Sequence, residues 1–345
     1  MSKGRKLRKY PGPEGPEFRE FATENEWLAG RRARMQASEI ATLFIDEIEE
    51  QGQTTYHTPY TLALEKIGAT QKIFTDREKQ RNWISHRTEE VIGQFWREYD
   101  PCKSTWRADQ HTILERPEMP HVGATLDFMT VIPDEGGAMP LECKAAGEWG
   151  RREWRDGDVP LKFQVQASLQ MAVTGTDRAV VFCLIGGYTP KWTIIDRDED
   201  LIKIAIDRAT EFMEMIRAGK LPPVDGRALT STVLNMLHPD DNGHSISLPS
   251  DADAWFESLD FLKYKRNEVE REEERLKQSV KECMGENTYG ETEDIEFSWK
   301  TEGGKPQYLK VPLNNANDLV AAGIEFKTHL SAKKRVLRRK EKPKG

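Results

Sequence analysis

The chain has 345 residues, of which 37% are hydrophobic and 32% charged, and a formal net charge of −7. With 9 Trp and 13 Phe it can fill a core in one large domain or two modest ones, which excludes a disordered chain. No apolar run approaches the roughly 18 residues of a membrane span, and the basic start MSKGRKLRKY lacks the apolar stretch of a signal peptide. The expectation is a cytoplasmic protein with no membrane partner.

Residues 1–22 are rich in Pro, Gly and charge and read as a basic flexible arm. Thr23 and Glu26 have capping-box spacing and open a short helix holding Trp27 and Arg31. Ser38 is an N-cap for the helix SEIATLFIDEI. Thr58-Pro59 starts another helix, with Gly68 just past its end. From Thr75 to Pro101 a long helix is expected, on the near-helical recurrence of Trp83, Arg87, Val91, Phe95 and Tyr99.

Segments 104–114 and 123–132 read as strands. PDEGGAMP (133–140) is turn chemistry, and 140–145 is a return strand that makes a hairpin. An irregular basic loop follows, with Trp149 and Trp154 placed either to stack on DNA or to anchor the loop. Residues 161–174 read as a helix, 178–186 and 190–195 as strands, and 198–217 as a helix. The Pro/Gly-rich stretch 219–250 reads as a linker or extended wrap. A charged helix over 252–284 follows, with a partial heptad seam. Residues 293–300 alternate like a strand, with 334–340 as a partner.

The four cysteines, Cys102, Cys143, Cys183 and Cys283, contain no C-x-x-C pair, which speaks against zinc and a disulfide framework. All four are read as reduced and structural. Charge is unevenly spread: residues 1–10 hold five Lys/Arg and no acid, and residues 326–345 hold nine against one acid. Two basic ends on an acidic body are compatible with DNA, because phosphate binding needs a local patch and not a positive total.

Chemistry concentrates between Asp127 and Lys144. Residues i and i+2 of a strand share a face, so Glu142 and Lys144 of L-E-C-K point together and Cys143 points away. Asp127 on the preceding strand lies beside them. Two or three carboxylates suffice for magnesium, which keeps several waters, and a neighbouring lysine can orient a water and lower its pKa. The helix that follows brings Gln164 near the site, and the helix before brings Glu89. Gln166 and Gln170 are read as helix-surface or hydrogen-bonding residues.

The ordered set Trp27…Arg31…Ser38-Glu39, Thr58-Pro59-Tyr60…Leu64-Glu65-Lys66-x-Gly68, Glu89, Thr125-x-Asp127, Glu142-x-Lys144 and Gln164-x-Gln166…Met171-x-Val173-Thr174-Gly175 resembles the YqaJ-type viral recombinase exonucleases over about residues 25–215. These are relatives of the phage lambda exonuclease in the PD-(D/E)xK nuclease superfamily. The resemblance implies an α/β restriction-endonuclease-like core, a central mixed sheet flanked by helices, with a C-terminal helix-plus-strands appendage. It implies domains at 1–22 (arm), 23–218 (nuclease core), 219–250 (linker) and 251–345 (charged helix, short strands and basic tail).

It also implies 5′-to-3′ digestion of one strand of linear double-stranded DNA with two Mg2+ or Mn2+ ions, a single-strand annealing protein as partner, and a homo-oligomer. If the chain is phage-encoded, its place is the bacterial host cytoplasm. Asp127, Glu142, Glu89 and the Cys143 backbone carbonyl are the implied metal ligands. Lys144 is the implied water-activating residue, Gln164 its positioning partner, and Arg31 and Ser38 the 5′-phosphate pocket. Leu126, Phe128 and Ser85 depart from the family pattern; the first two leave the ligand chemistry intact and bear on access to the cleft, and Ser85 makes Glu90 a rival to Glu89. Other readings are an endonuclease of repair or restriction on the same fold, and a DNA-binding module without activity.

Overall fold

A computed structural model describes residues 16–70, 76–99, 104–108, 111–133, 135, 137–157, 159–240, 243–293, 295–302 and 334–341. The arm before residue 16, Thr75, Cys102 and the last four residues lie outside them. The chain divides into two compact units, Met1–Asn242 and Gly243–Gly345.

The first unit is built on a five-stranded mixed sheet. Its strands are β3 (Ser104–Arg107), β6 (Phe128–Val131), β7 (Met139–Ala146), β8 (Arg178–Ile185) and β9 (Thr189–Asp196), in the order β3-β6-β7-β8-β9. Only β7 and β8 run parallel. This is the mixed α/β architecture expected, with helices on both faces.

One face is covered by α4 (Asp76–Tyr99), whose Ile92 and Trp96 pack on Phe128, Leu141, Cys143, Val180 and Phe182. The expected seam of that helix is corrected here: Trp83 and Val91 are 63% and 57% exposed. Gly93 decides the approach, because a Cβ there would come within 2.2 Å of the Phe128 ring. The buried stripe is therefore set by where the helix can touch the sheet, and lies one residue away from the aromatic recurrence.

The other face is covered by α5 (Leu161–Thr174), an almost wholly buried helix. Its Phe163, Ala167 and Met171 face β8, while Val165, Leu169 and Val173 face the opposite way. There they meet a 3-10 turn (Ile40–Phe44) and α6 (Glu199–Arg217). Apolar residues on all sides are what a helix between two layers requires. It stops at Gly175, whose φ of 72° lets its N–H close on the Met171 carbonyl.

Smaller elements complete the unit. Glu17–Glu20, expected within the flexible arm, form β1 and pair antiparallel with β4 (Thr112–Glu115); alternation in that stretch turns Phe18 toward the core. Segment 104–114 is not one strand. It breaks at His111, a non-glycine residue at φ 56°, so that β3 and β4 belong to different sheets. Segment 123–132 likewise divides into β5 (Val122–Gly123), paired parallel with β2 (Met35–Gln36), and β6.

Helices α1 (Glu24–Arg32) and α3 (Pro59–Lys66) begin on the expected caps, Thr23 and Thr58. Ser38 is not a cap: the 3-10 turn begins after Glu39, whose N–H goes to the Gln36 carbonyl, and α2 (Ile45–Glu50) follows. The basic loop expected to be irregular is a 3-10 stretch, Glu148–Gly157. Within 219–250, α7 (Ala228–Leu237) docks on α3 through a buried Thr58–Thr230 hydroxyl pair at 2.8 Å.

The second unit contains one 33-residue helix, α8 (Ala252–Met284), and an antiparallel sheet. That sheet has the order β10 (Tyr289–Glu291), β11 (Ile295–Glu302) and β12 (Lys334–Glu341). The expected pairing of the two last segments is present, with Trp299 opposite Leu337. Among the described residues no helix is long and apolar enough to cross a membrane.

Candidate active site

The pleat of β7 does what the L-E-C-K spacing implies. Cys143 turns into the cluster under α4, and Glu142 and Lys144 turn to the α5 side. Lys144 Nζ lies 2.5 Å from Glu142 Oε1 and 5.2 Å from the centre of the Phe163 ring. Asp127 immediately precedes β6, and its Oδ2 accepts the Cys143 N–H at 2.9 Å. A bond from a β7 main-chain N–H to the Asp127 side chain thus fixes the first acid beside the second.

These residues share one cleft of about 690 Å³ with Glu89 of α4 and with Arg31 and Ser38. Sequence reasoning placed all six at the site, and the structure brings them to one opening. Glu90, the rival to Glu89, also borders the cleft, but its carboxylate is bonded to Arg87 at 3.1 Å and Arg107 at 2.9 Å.

Gln164 is the exception. Its amide donates to the Val159 carbonyl at 2.5 Å and so steadies the start of α5, away from Lys144. The glutamines that reach the site are Gln166 and Gln170, one turn apart, donating to Glu142 Oε1 at 2.6 Å and Oε2 at 2.5 Å. The signal was available: i and i+4 share a helix face, and two buried amides need acceptors. Trp154 is buried and stacked on Phe163, with ring centres 5.7 Å apart, so it anchors the loop and is closed to DNA. The Trp149 side chain is outside the described residues.

Charge in the cleft is unbalanced. Burial, then the carboxylates of Glu142 and Glu89, push the Asp127 carboxyl well above its ordinary value. Burial works against a charged Lys144, but Glu142 and Asp127 outweigh it and raise its pKa above the usual lysine value. Burial likewise raises the Cys143 thiol, which is unreactive in that state.

A hard divalent cation suits this donor set, since Asp127, Glu142 and Glu89 offer only oxygen and crowd like charges that a cation would relieve. Glu142 Oε1 accepts from both Gln166 and Lys144, while Oε2 accepts only the Gln170 N–H and retains a further lone pair. Among the described residues no three acid, His or Cys side chains are drawn into a finished cage. Magnesium keeps several waters, so it needs only a few protein oxygens.

The rim at Arg31 is built on a second cluster. Arg31 lies 4.8 Å over the Trp27 ring and donates to Ser38 Oγ at 3.0 Å. Below it, Lys66 is buried and spends its ammonium on the carbonyls of Arg31 (2.9 Å) and Arg34 (2.6 Å) and on Glu39 Oε2 (2.6 Å). The Gln36 N–H adds a bond to the same carboxylate oxygen at 3.0 Å. Sequence reasoning missed this clamp. Because Ser38 is not an N-cap, any anion here would meet a guanidinium and a hydroxyl and not a helix N-terminus.

An acid-lined cleft beside a mixed sheet, with a lysine on the central strand, is the candidate site of an α/β protein. Residues 26–177 match the family model of the YqaJ-like viral recombinase domain, over most of the span the sequence resemblance covered. The uncharacterized protein YqaJ of Bacillus subtilis (strain 168) is 24% identical over 282 residues, covering 81% of this chain and 83% of that protein. Among solved structures, the alkaline exonuclease LHK-Exo of Laribacter hongkongensis is 19% identical, with a TM-score of 0.42. LHK-Exo in complex with dAMP is 18% identical, with a TM-score of 0.43. Each covers 56% of this chain and 93% of its own.

Proposed function

We propose that the first unit is a magnesium-dependent exonuclease that digests one strand of linear double-stranded DNA, in the 5′-to-3′ direction, and leaves single strands for recombination. The observation that carries this reading is the single cleft holding Asp127, Glu142, Glu89 and Lys144 with Arg31 and Ser38 at its rim. The family match, to a viral recombinase domain, supports it. An annealing protein would be the consumer of the product.

Asp127, Glu142, Glu89 and the Cys143 carbonyl would hold the ions, which, when bound, neutralise phosphate charge and supply hydroxide from water. Lys144, on the same strand face as Glu142, is placed to donate to the oxygens that gain charge at phosphorus. Gln166 and Gln170 fix the Glu142 carboxylate plane. The Arg31 guanidinium, over the Trp27 ring, presents a fork suited to a terminal phosphate. Exposed Trp83, on the same cleft, offers a face for an unpaired base.

The test uses linear duplexes labelled at the 5′ or the 3′ end, with magnesium or with EDTA, beside a closed circle. Early loss of the 5′ label as mononucleotide, only with magnesium and only from linear DNA, is the expected result. Equal cutting of closed circles overturns the exonuclease reading, and early loss of the 3′ label overturns the polarity.

A further inference from the structure

Along α8, Trp255, Leu259, Leu262, Val269, Leu276, Val280 and Cys283 fall on one unbroken heptad seam, with only Arg266 and Glu273 as charged members. The helix is about 50 Å long at 1.5 Å per residue. Of its residues only Ala252 and Met284, at its two ends, are buried. The apolar seam positions from Trp255 to Leu276 are between 49% (Leu259) and 67% (Val269) exposed. A four-heptad seam whose apolar side chains, apart from Arg266 and Glu273, largely face water is a surface waiting for a complement.

We propose that the occupant of this seam is α8 of a second copy of the chain, running antiparallel. The two seam charges decide the direction. In a parallel pair Arg266 would face Arg266 of the second copy and Glu273 would face its own counterpart, like charges in the core of the contact. In an antiparallel pair that sets Leu259 against Leu276 and Trp255 against Val280, Arg266 lies one layer from Glu273 of the second copy.

The flanking rows then select the register. Lys263 meets Glu270, and Lys265 meets Glu272, along the two edges of the same pairing. Sliding one helix by a heptad would put Lys263 against Lys277, and Glu270 and Glu272 each against its own counterpart. Flanking charges match in a parallel pair as well, so direction rests on the core charges and register on the flanks. The exposed pairs now made within the helix, such as Lys265–Glu268 and Arg275–Glu272, are weak and exchange at little cost. Phe256 flanks the seam, and the aromatic residues further round, Phe261 and Tyr264, lie on the outer side, each with Lys265 Nζ 5.8 Å from its ring.

The experiment is sedimentation equilibrium on the full chain, wild type beside Arg266→Glu, Glu273→Arg and the double charge swap. The seam is exposed, so these variants keep the helix, which circular dichroism checks. Wild type at twice the chain mass is expected, with each single reversal weakening association roughly 10- to 100-fold and the double swap restoring it. Direction is read by disulfide trapping in a Cys102→Ser, Cys283→Ser background. Leu259→Cys mixed with Leu276→Cys should cross-link, and neither alone should. A chain of single mass, a swap that fails to rescue, or self-cross-linking by either single cysteine overturns the proposal.

Discussion

Two places in the first unit bury a lysine against carboxylates, and they differ in whether the accounts balance. Lys66 meets one acid and two carbonyls, and Lys66 and Arg31 hold Glu39 below the usual carboxylate range despite its burial. Lys144 faces two carboxylates in a cleft bordered by a third, Glu89, and Asp127 is driven above its ordinary range. The first arrangement is what a fold needs from a buried charge; the second is tolerable only when something else joins it. Perturbation of this second kind, in a cleft, marks a working site more reliably than the presence of acids does.

The comparison can be broken from either side. The largest effect is expected from Lys144→Ala, which should lower exonuclease turnover about 10³-fold, in the range of a proton donor's contribution, while DNA binding persists. Turnover at wild-type rate would remove Lys144 from the site. Next, Lys66→Ala should cost about 3 kcal/mol in a urea titration, because Glu39 is left buried with Arg31, 3.8 Å away, as its remaining cation; a loss within error would mean that the clamp is not structural.

A smaller and opposite effect is expected at Asp127. In EDTA, Asp127→Asn should stabilise the chain by about 1 kcal/mol, by removing one of the crowded charges, and should abolish the rise in melting temperature that magnesium gives the wild type. Smallest is the acid limb of stability. Glu39 has a lowered folded pKa, so its contribution is complete above the unfolded value of about 4.3 and is lost as pH falls through the folded one. Melting below pH 4.5 should be flatter in Glu39→Gln than in wild type.

The sequence made legible what periodicity and spacing encode locally. The bounds of α5 and α8, the β6–β7 hairpin and the shared face of Glu142 and Lys144 are all of this kind. It hid what depends on where distant segments meet. Ser38 has the chemistry of a cap, but its hydroxyl is taken by Arg31, seven residues earlier. Gln164 is nearer in sequence to the expected position, but Gln166 and Gln170 project from α5 toward β7. The buried stripe of α4 follows Gly93 and Phe128, a contact between a helix and a strand that no helical period contains. Lys66 and Glu39 lie 27 residues apart, and their contact forms only when α3 comes beside the turn after β2.

The two-residue repeat of β7 also guards the accuracy of folding. If that strand paired one residue out of step, every side chain would change faces. Cys143 would enter the cleft, and Glu142 and Lys144 would be pressed among Ile92, Trp96 and Phe182, where charge has no solvent and no amide to meet. A mis-registered chain would therefore be unstable before it could be a poor catalyst. Correct pairing of this strand and competence of the site are one event.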